Sequence, residues 1–215
     1  MNVDVFQKCI DFKDADAVRS SGFYPYFRMI ASGQDPVVTM DGQRVIMLGS
    51  NNYLGLTNHP EIKQAAAEAL ENYGTGTAGS RFLNGTLDIH VELEEKLAQF
   101  MRREAALTFS TGFAVNLGVI SSVIGRKDVV ILDNLDHACI LDGARLSFGR
   151  VLKYPHNDMD SLEERLRSVE DDRSTLIVVD GVFSMEGDLC NLPRIVELKN
   201  KFDARLMVDD AHGIG

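Results

Sequence analysis

A chain of 215 residues, 45% apolar and 25% charged, can bury a full core and is ordinary in composition for a globular protein. Its formal net charge of −10 argues against a nucleic-acid footprint, which needs a basic stripe, and no apolar run approaches the length of a membrane span. The first residues lack the basic-then-apolar layout of a signal peptide, and the three cysteines (Cys9, Cys139, Cys190) are scattered and odd in number. The expectation is a reduced, cytoplasmic protein with neither a disulfide framework nor a CxxC metal site.

Residues 3–20 read as a short amphipathic helix, with Val5, Cys9 and Phe12 at helical spacing. An aromatic cluster follows, Phe23-Tyr24-Pro25-Tyr26-Phe27, whose proline cannot sit in a helix interior. The runs 36–40 and 44–48 flank Asp41-Gly42, a strong hairpin signal. Asn51-Asn52-Tyr53-Leu54-Gly55 then reads as a loop. Pro60 opens a helix that Gly74 closes.

Gly74-Thr75-Gly76-Thr77-Ala78-Gly79 matches the dinucleotide fingerprint literally, but that fingerprint needs a strand before it and a helix opening within it. Here a helix precedes the glycines and further turn residues follow, so the match is rejected. These glycines permit close backbone approach, with Arg81 as an anchoring charge. Ile89, Leu93, Leu97 and Phe100 share one helical face. His90 and Glu94, four apart, are expected to be a charged surface pair on a neighbouring face.

From residue 105 strands and helices alternate. Strands are expected at 105–109, 129–132, 150–154, 176–179 and 206–208. Helices are expected at 113–124, up to about Leu146, around Leu162 and Leu166, and at 192–202. That alternation means an α/β fold with a mostly parallel sheet and helices on both faces. His156 and His59 lie in turns and read as plain loop residues.

Several strand ends carry chemistry together. Ser110-Thr111-Gly112-Phe113 opens a helix, and helix N-termini bind anions such as phosphate. His137 and Ser184 each follow a strand, as do Asp209 and His212. Open α/β sheets bind ligands just beyond the carboxyl ends of their strands. A phosphate cradle, a ring for stacking and a carboxylate for a ring nitrogen suit pyridoxal phosphate (PLP), whose protonated pyridine withdraws electrons from a carbanion.

The series Asn51-Asn52-Tyr53-Leu54-Gly55, Gly79-Ser80-Arg81, Asn84-Gly85-Thr86, Asp136-His137-Ala138, Val182-Phe183-Ser184-Met185-Glu186-Gly187 and Asp209-Asp210-Ala211-His212 resembles the α-oxoamine synthases. This is the PLP-dependent family that joins an amino acid to an acyl-CoA with loss of CO2. Residues 79–86 and 109–113 are most similar to its bacterial serine palmitoyltransferase branch. The 2-amino-3-ketobutyrate CoA ligases and 8-amino-7-oxononanoate synthases are the runners-up. Residues 1–58 are expected to form an arm and hairpin, and 59–215 a PLP-binding major domain that stops short of the Schiff-base lysine. Roughly half of a family member, inactive alone, is therefore expected.

The resemblance implies a role for each matched residue. His137 stacks on the pyridine ring, Asp209 pairs with the ring nitrogen, and His212 with Ser184 bonds the 3-hydroxyl. Main-chain groups of Thr111, Gly112 and Phe113 hold the phosphate. One of Asn51 and Asn52 meets the substrate carboxylate, with Arg81 as a further substrate-binding residue. It also implies amino-acid and acyl-CoA substrates, L-serine and palmitoyl-CoA being the best match, and a homodimer. No metal, nucleic acid or transmembrane segment is expected, and peripheral membrane contact stays open.

Other classes fit less well. A lysine-less, non-catalytic partner subunit is disfavoured because the cofactor residues are present. A metal-dependent hydrolase would draw on Asp133, Asp136, His137, Asp209, Asp210 and His212, yet no HxH or HExxH spacing appears. Neither Ser110 nor Ser184 sits in a GxSxG elbow.

Overall fold

The computed structural model describes residues 4–214. The chain divides into two compact units, Met1–Gly76 and Thr77–Gly215. Sequence patterning divides the chain at 58/59 instead, because it groups the helix after Pro60 with the alternating strands and helices.

In the first unit, the amphipathic stretch forms two short helices, α1 (Gln7–Asp11) and α2 (Asp14–Ser20), rather than one. Phe12 between them is extended, with φ −71° and ψ 108°. Neither helix buries a residue, and without a packed face so short a helix is marginal. The expected start at residue 3 lies outside the described residues. The hairpin forms as expected from β1 (Val37–Met40) and β2 (Gln43–Ile46), paired antiparallel. Asp41 and Gly42 take φ of 52° and 76°, the left-handed pair that a two-residue turn of this twist requires. Helix α3 (Pro60–Tyr73) begins on its proline and ends on Gly74, with φ 79°.

The second unit holds α4 (Asp88–Phe100), α5 (Gly112–Val123), β3 (Val129–Asp133), α6 (Ala138–Leu146), β4 (Arg150–Tyr154), α7 (Met159–Arg167), β5 (Thr175–Asp180), α8 (Leu192–Lys201) and β6 (Arg205–Asp209). The four strands are parallel, in the order β4-β3-β5-β6. Side chains alternate across the sheet. Val129, Ile131, Ile177 and Val179 pack with Leu162 and Leu166 of α7 and Ile195 and Leu198 of α8. Val130, Leu132 and Val178 face the other way, onto Ile120 of α5 and Ile140 and Ala144 of α6.

The chain leaves β3 toward β4 on one side, then returns past it to β5 and β6 on the other. Right-handed crossovers running in opposite directions put α6 on one face and α7 and α8 on the other. The strand order reverses between β3 and β5, which opens a crevice at their carboxyl ends. Asp133 and Asp180 end the two strands that flank it.

The expected strand at 105–109 does not form, and this stretch pairs with no strand among the described residues. Its backbone is satisfied differently: the Thr108 N–H donates to Oε1 of Glu94 at 2.7 Å. A run of strand-like composition is not enough, because a strand also needs a neighbour to bond. Among the described residues no helix is long and apolar enough to cross a membrane.

Candidate active site at the carboxyl ends of the strands

Adjacent strands β3, β5 and β6 each end on a carboxylate: Asp133, Asp180 and Asp209. Asp180 and Asp209 lie side by side in register. Buried Asp136, just past β3, accepts from the backbone N–H of Asp133 at 2.8 Å and of Asp180 at 3.0 Å, tying two strand ends together. Burial pushes its carboxyl up to about 8, against the pull of those N–H bonds, with the charges of Asp180 and Asp133 adding to the rise. Burial also raises Asp180, whose Oδ2 accepts the His137 N–H at 2.7 Å. The charges of His137 and His212 both act on this carboxyl, so both histidines lie near the end of β5.

His137 caps α6, and Cys139, two residues on, fixes its ring. The imidazole Nδ1 accepts the Cys139 N–H at 3.2 Å and lies 2.8 Å from the Cys139 sulfur. Burial raises the Cys139 thiol, which keeps it an S–H donor. With Nδ1 accepting, the ring proton of the neutral imidazole belongs on Nε2. The residue as a whole is exposed.

Asp209 is held through Asn116, which is 2% exposed. The Asn116 carboxamide donates to Oδ2 of Asp209 at 2.7 Å and to the Cys139 sulfur at 3.0 Å. The Ala211 N–H donates to Oδ1 at 3.1 Å. Asp209, Asn116, Cys139 and His137 therefore form one chain of polar contacts.

Helix α5 brings its N-terminus to the same place. Gly112 precedes Asn116 by four residues and so lies one turn above it on the same face. The Thr111 side chain caps the helix by accepting from the Ala114 N–H at 3.1 Å. The N–H groups of the first turn have no carbonyl within the helix and form an anion site. A Cβ at Gly112 would meet nothing within 4 Å, so this end is open. Ser184 is exposed on the turn after β5, and His212 is half-buried after β6.

Asn51 and Asn52 belong to the first unit. The Asn52 carboxamide donates to the Gln34 carbonyl at 3.3 Å and accepts from the Thr57 N–H at 3.1 Å, so it braces its own loop. Asn51 is exposed, its Oδ1 3.4 Å from the Tyr53 hydroxyl. Arg81 is committed to its own unit. Its guanidinium bonds both oxygens of Glu94, Nη2 to Oε2 at 3.0 Å, and Nη1 donates to the Thr108 hydroxyl at 3.0 Å. The expected His90–Glu94 pair is absent. His90 Nδ1 accepts from the Leu87 N–H at 3.0 Å to cap α4, and Glu94 turns to Arg81 instead. That hydrogen bond from Arg81, with the Thr108 N–H, lowers the Glu94 carboxyl to about 2.

The sequence pattern marks no role for Asn116, and it makes Cys139 one of three scattered cysteines and His156 a plain loop residue. Asn116 did leave a signal, as a polar residue inside an apolar helix. Among the described residues no three of His, Cys, Asp and Glu are grouped so as to hold a metal ion. Asp133 is instead occupied by the N–H groups of Leu135 and Asn157 and by His156.

Residues 43–215 match the family described as aminotransferase class I and II. The chain belongs to that family. Among class I and II relatives, it is 57% identical over 204 residues to a serine palmitoyltransferase from Sphingobacterium spiritivorum, covering 95% of this chain and 51% of that one. An 8-amino-7-oxononanoate synthase from Geobacter sulfurreducens is 51% identical over 198 residues, or 92% of this chain and 51% of that one. Both relatives are α-oxoamine synthases. A serine palmitoyltransferase from S. paucimobilis, solved with PLP and myriocin bound, superposes with a TM-score of 0.92 at 35% identity, over 96% of this chain and 52% of that one. The chain thus spans about half the length of the relatives it matches, and the family is PLP-dependent.

Proposed function

We propose that the complete protein condenses L-serine with a long-chain acyl-CoA such as palmitoyl-CoA, releasing CO2 and giving a 3-keto sphingoid base. The observation that carries this reading is the Asn116–Asp209 hydrogen bond, continued through Cys139 to His137, with Asn116 one turn from the open N-terminus of α5. The donor set suits PLP: first-turn N–H groups for a phosphate, an exposed ring to stack, and an anchored carboxylate. Bound PLP supplies an electron sink for the carbanion formed next to the amino-acid nitrogen.

The chain's own residues have definite tasks in this reading. Each Asp209 oxygen takes one hydrogen bond from the protein, which leaves lone pairs to hold a proton on the ring nitrogen. Asn116 fixes the direction of that carboxylate. His137 lays its ring against the heterocycle, its orientation set by Cys139. The main chain of Thr111, Gly112 and Phe113 binds the phosphate, while Ser184 and His212 bond the 3-hydroxyl. Of the two asparagines, Asn51 is the better partner for the substrate carboxylate, because Asn52 is occupied. The protein acts as a cytoplasmic homodimer, which sedimentation of the full-length protein checks.

The test is activity and cofactor absorption of the full-length protein with L-serine and palmitoyl-CoA. Asp209→Asn should cost on the order of 100-fold or more in kcat, as removal of a preorganised electrostatic partner does. An unchanged rate in that variant would sink the assignment. Failure to bind PLP would favour a non-catalytic partner subunit. The 51% identity to an 8-amino-7-oxononanoate synthase supports a second reading, which a preference for L-alanine and another acyl-CoA would establish.

A further inference from the structure

His156 lies in the turn after β4, where its sequence context marks nothing unusual. Its Nδ1 is 3.0 Å from Oδ1 of Asp133, and its Nε2 is 3.0 Å from Oδ2 of Asp188. Ionised carboxylates only accept, so with Asp133 and Asp188 ionised both ring nitrogens donate, and only the imidazolium can do that. Asp133 is wholly buried and also accepts from two backbone N–H groups. The imidazole also meets Phe183 edge-on, with centroids 4.4 Å apart and planes at 81°.

The next residue holds the same segment. The Asn157 carboxamide donates to the Leu189 carbonyl at 2.9 Å and accepts from the Asn191 N–H at 3.0 Å. Residues 156 and 157 therefore grip the turn after β5 at Asp188, Leu189 and Asn191. That turn is closed on itself by Phe183 N–H to Asp188 at 2.9 Å and Gly187 N–H to Phe183 at 2.7 Å. At its exposed tip is Ser184.

We propose that His156 is a positioning residue: as an imidazolium bridging Asp133 and Asp188, it latches the 182–189 turn to the end of β3 and thereby sets where Ser184 presents its hydroxyl. The inference rests on the reading of Ser184 as a cofactor contact. The charged and titratable groups facing the ring are Asp133 from β3 and Asp188 from the turn. Asp136 and the buried Tyr154 lie behind Asp133 and interact with it. Burial works against the charged ring, but the hydrogen bonds to Asp188 and Asp133 outweigh it and hold the imidazole above its ordinary value. The latch is therefore closed at low pH and releases as pH rises through that raised value.

The test is hydrogen–deuterium exchange of residues 182–189 in the full-length protein, with and without PLP. In His156→Gln both donor hydrogens sit on one nitrogen, so the carboxamide does not reproduce the bridge made by Nδ1 and Nε2. Asp188→Asn, on the outer side of the bridge, covers the case in which the first variant does not fold. Both should exchange roughly ten- to hundredfold faster in this turn, the protection that a charged hydrogen bond supplies. The core strands should exchange as before, and the wild-type turn alone should lose protection as pH rises. Unchanged exchange in the turn, or equal acceleration across the whole sheet, overturns the latch. Ser184→Ala separates the two readings: it should shift the bound cofactor's absorption, with His156→Gln shifting it the same way. Faster exchange combined with an unmoved Ser184→Ala spectrum overturns the positioning role and the Ser184 assignment together. Unchanged exchange with a shifted Ser184→Ala spectrum overturns the latch alone.

Discussion

Asn116 donates from its carboxamide to Oδ2 of Asp209, 93 positions along the chain, at 2.7 Å. A strand-end carboxylate without a second anchor can rotate, and a ligand must then bear the cost of ordering it. Asn116→Leu keeps the volume and removes the donor. A hydrogen bond to a charged group contributes about 1.5–3 kcal/mol, so kcat/KM of the complete enzyme should fall roughly ten- to hundredfold. Asn116→Asp should be worse, since two carboxylates in contact cannot both ionise freely. Steady-state kinetics checks both, and full activity in either variant counts against the anchor.

Gly143 decides how closely α6 approaches α5. A Cβ there would stand 2.7 Å from the Asn116 carbonyl oxygen, which is backbone and cannot swing away. Gly143→Ala should therefore push the helices apart and cost about 1–3 kcal/mol, as overpacking a tight core does. Because the displaced backbone belongs to Asn116, cofactor affinity should weaken as well. Denaturant unfolding with a PLP titration tests this, and a neutral result in both would mean that the helix pair has slack.

Acid stability should depend on Glu94. The hydrogen bond from Arg81 lowers its carboxyl to about 2, so the stability it contributes is present above the ordinary carboxylate range and lost as pH falls toward 2. Glu94→Gln should flatten the dependence of Tm on pH between about 4.5 and 2. Thermal melts across that window should show wild type and variant converging at the acid end. Parallel curves would contradict the assignment.

The alkaline side depends on different groups. Asp136, raised to about 8 by burial, and His156, raised by its two carboxylates, both hold their protons more tightly when folded than when unfolded. Stability from either is greatest at low pH and is lost as pH rises through the folded value. Tm should thus decline as pH rises from the ordinary carboxylate range toward about 8 on account of Asp136, with His156 adding to the decline above about 6.5. His156→Gln should remove part of the slope, leaving the share due to Asp136. A flat profile in the wild type would refute both.

The sequence alone determined the α/β class, four of the five parallel strands expected, the hairpin turn at Asp41-Gly42, and the residues that end the strands. These are written in local order: apolar runs of strand length, turn residues at fixed offsets, and polar groups directly after apolar ones. The family could be read as well, because its motifs are short contiguous strings. The tertiary structure alone decided which groups touch. Asn116 is one polar residue in an apolar helix until Asp209 arrives from 93 positions away, and His156 is a loop residue until Asp133 and Asp188 close on its ring. Glu94 looked like a partner for His90 by spacing, but Arg81 offers a planar two-pronged donor and Thr108 two further bonds. Residues 105–109 looked like a strand, but a strand exists only where a neighbour supplies the other half of its hydrogen bonds. Local pattern reports what a residue prefers, whereas long-range contact settles which of several partners satisfies it.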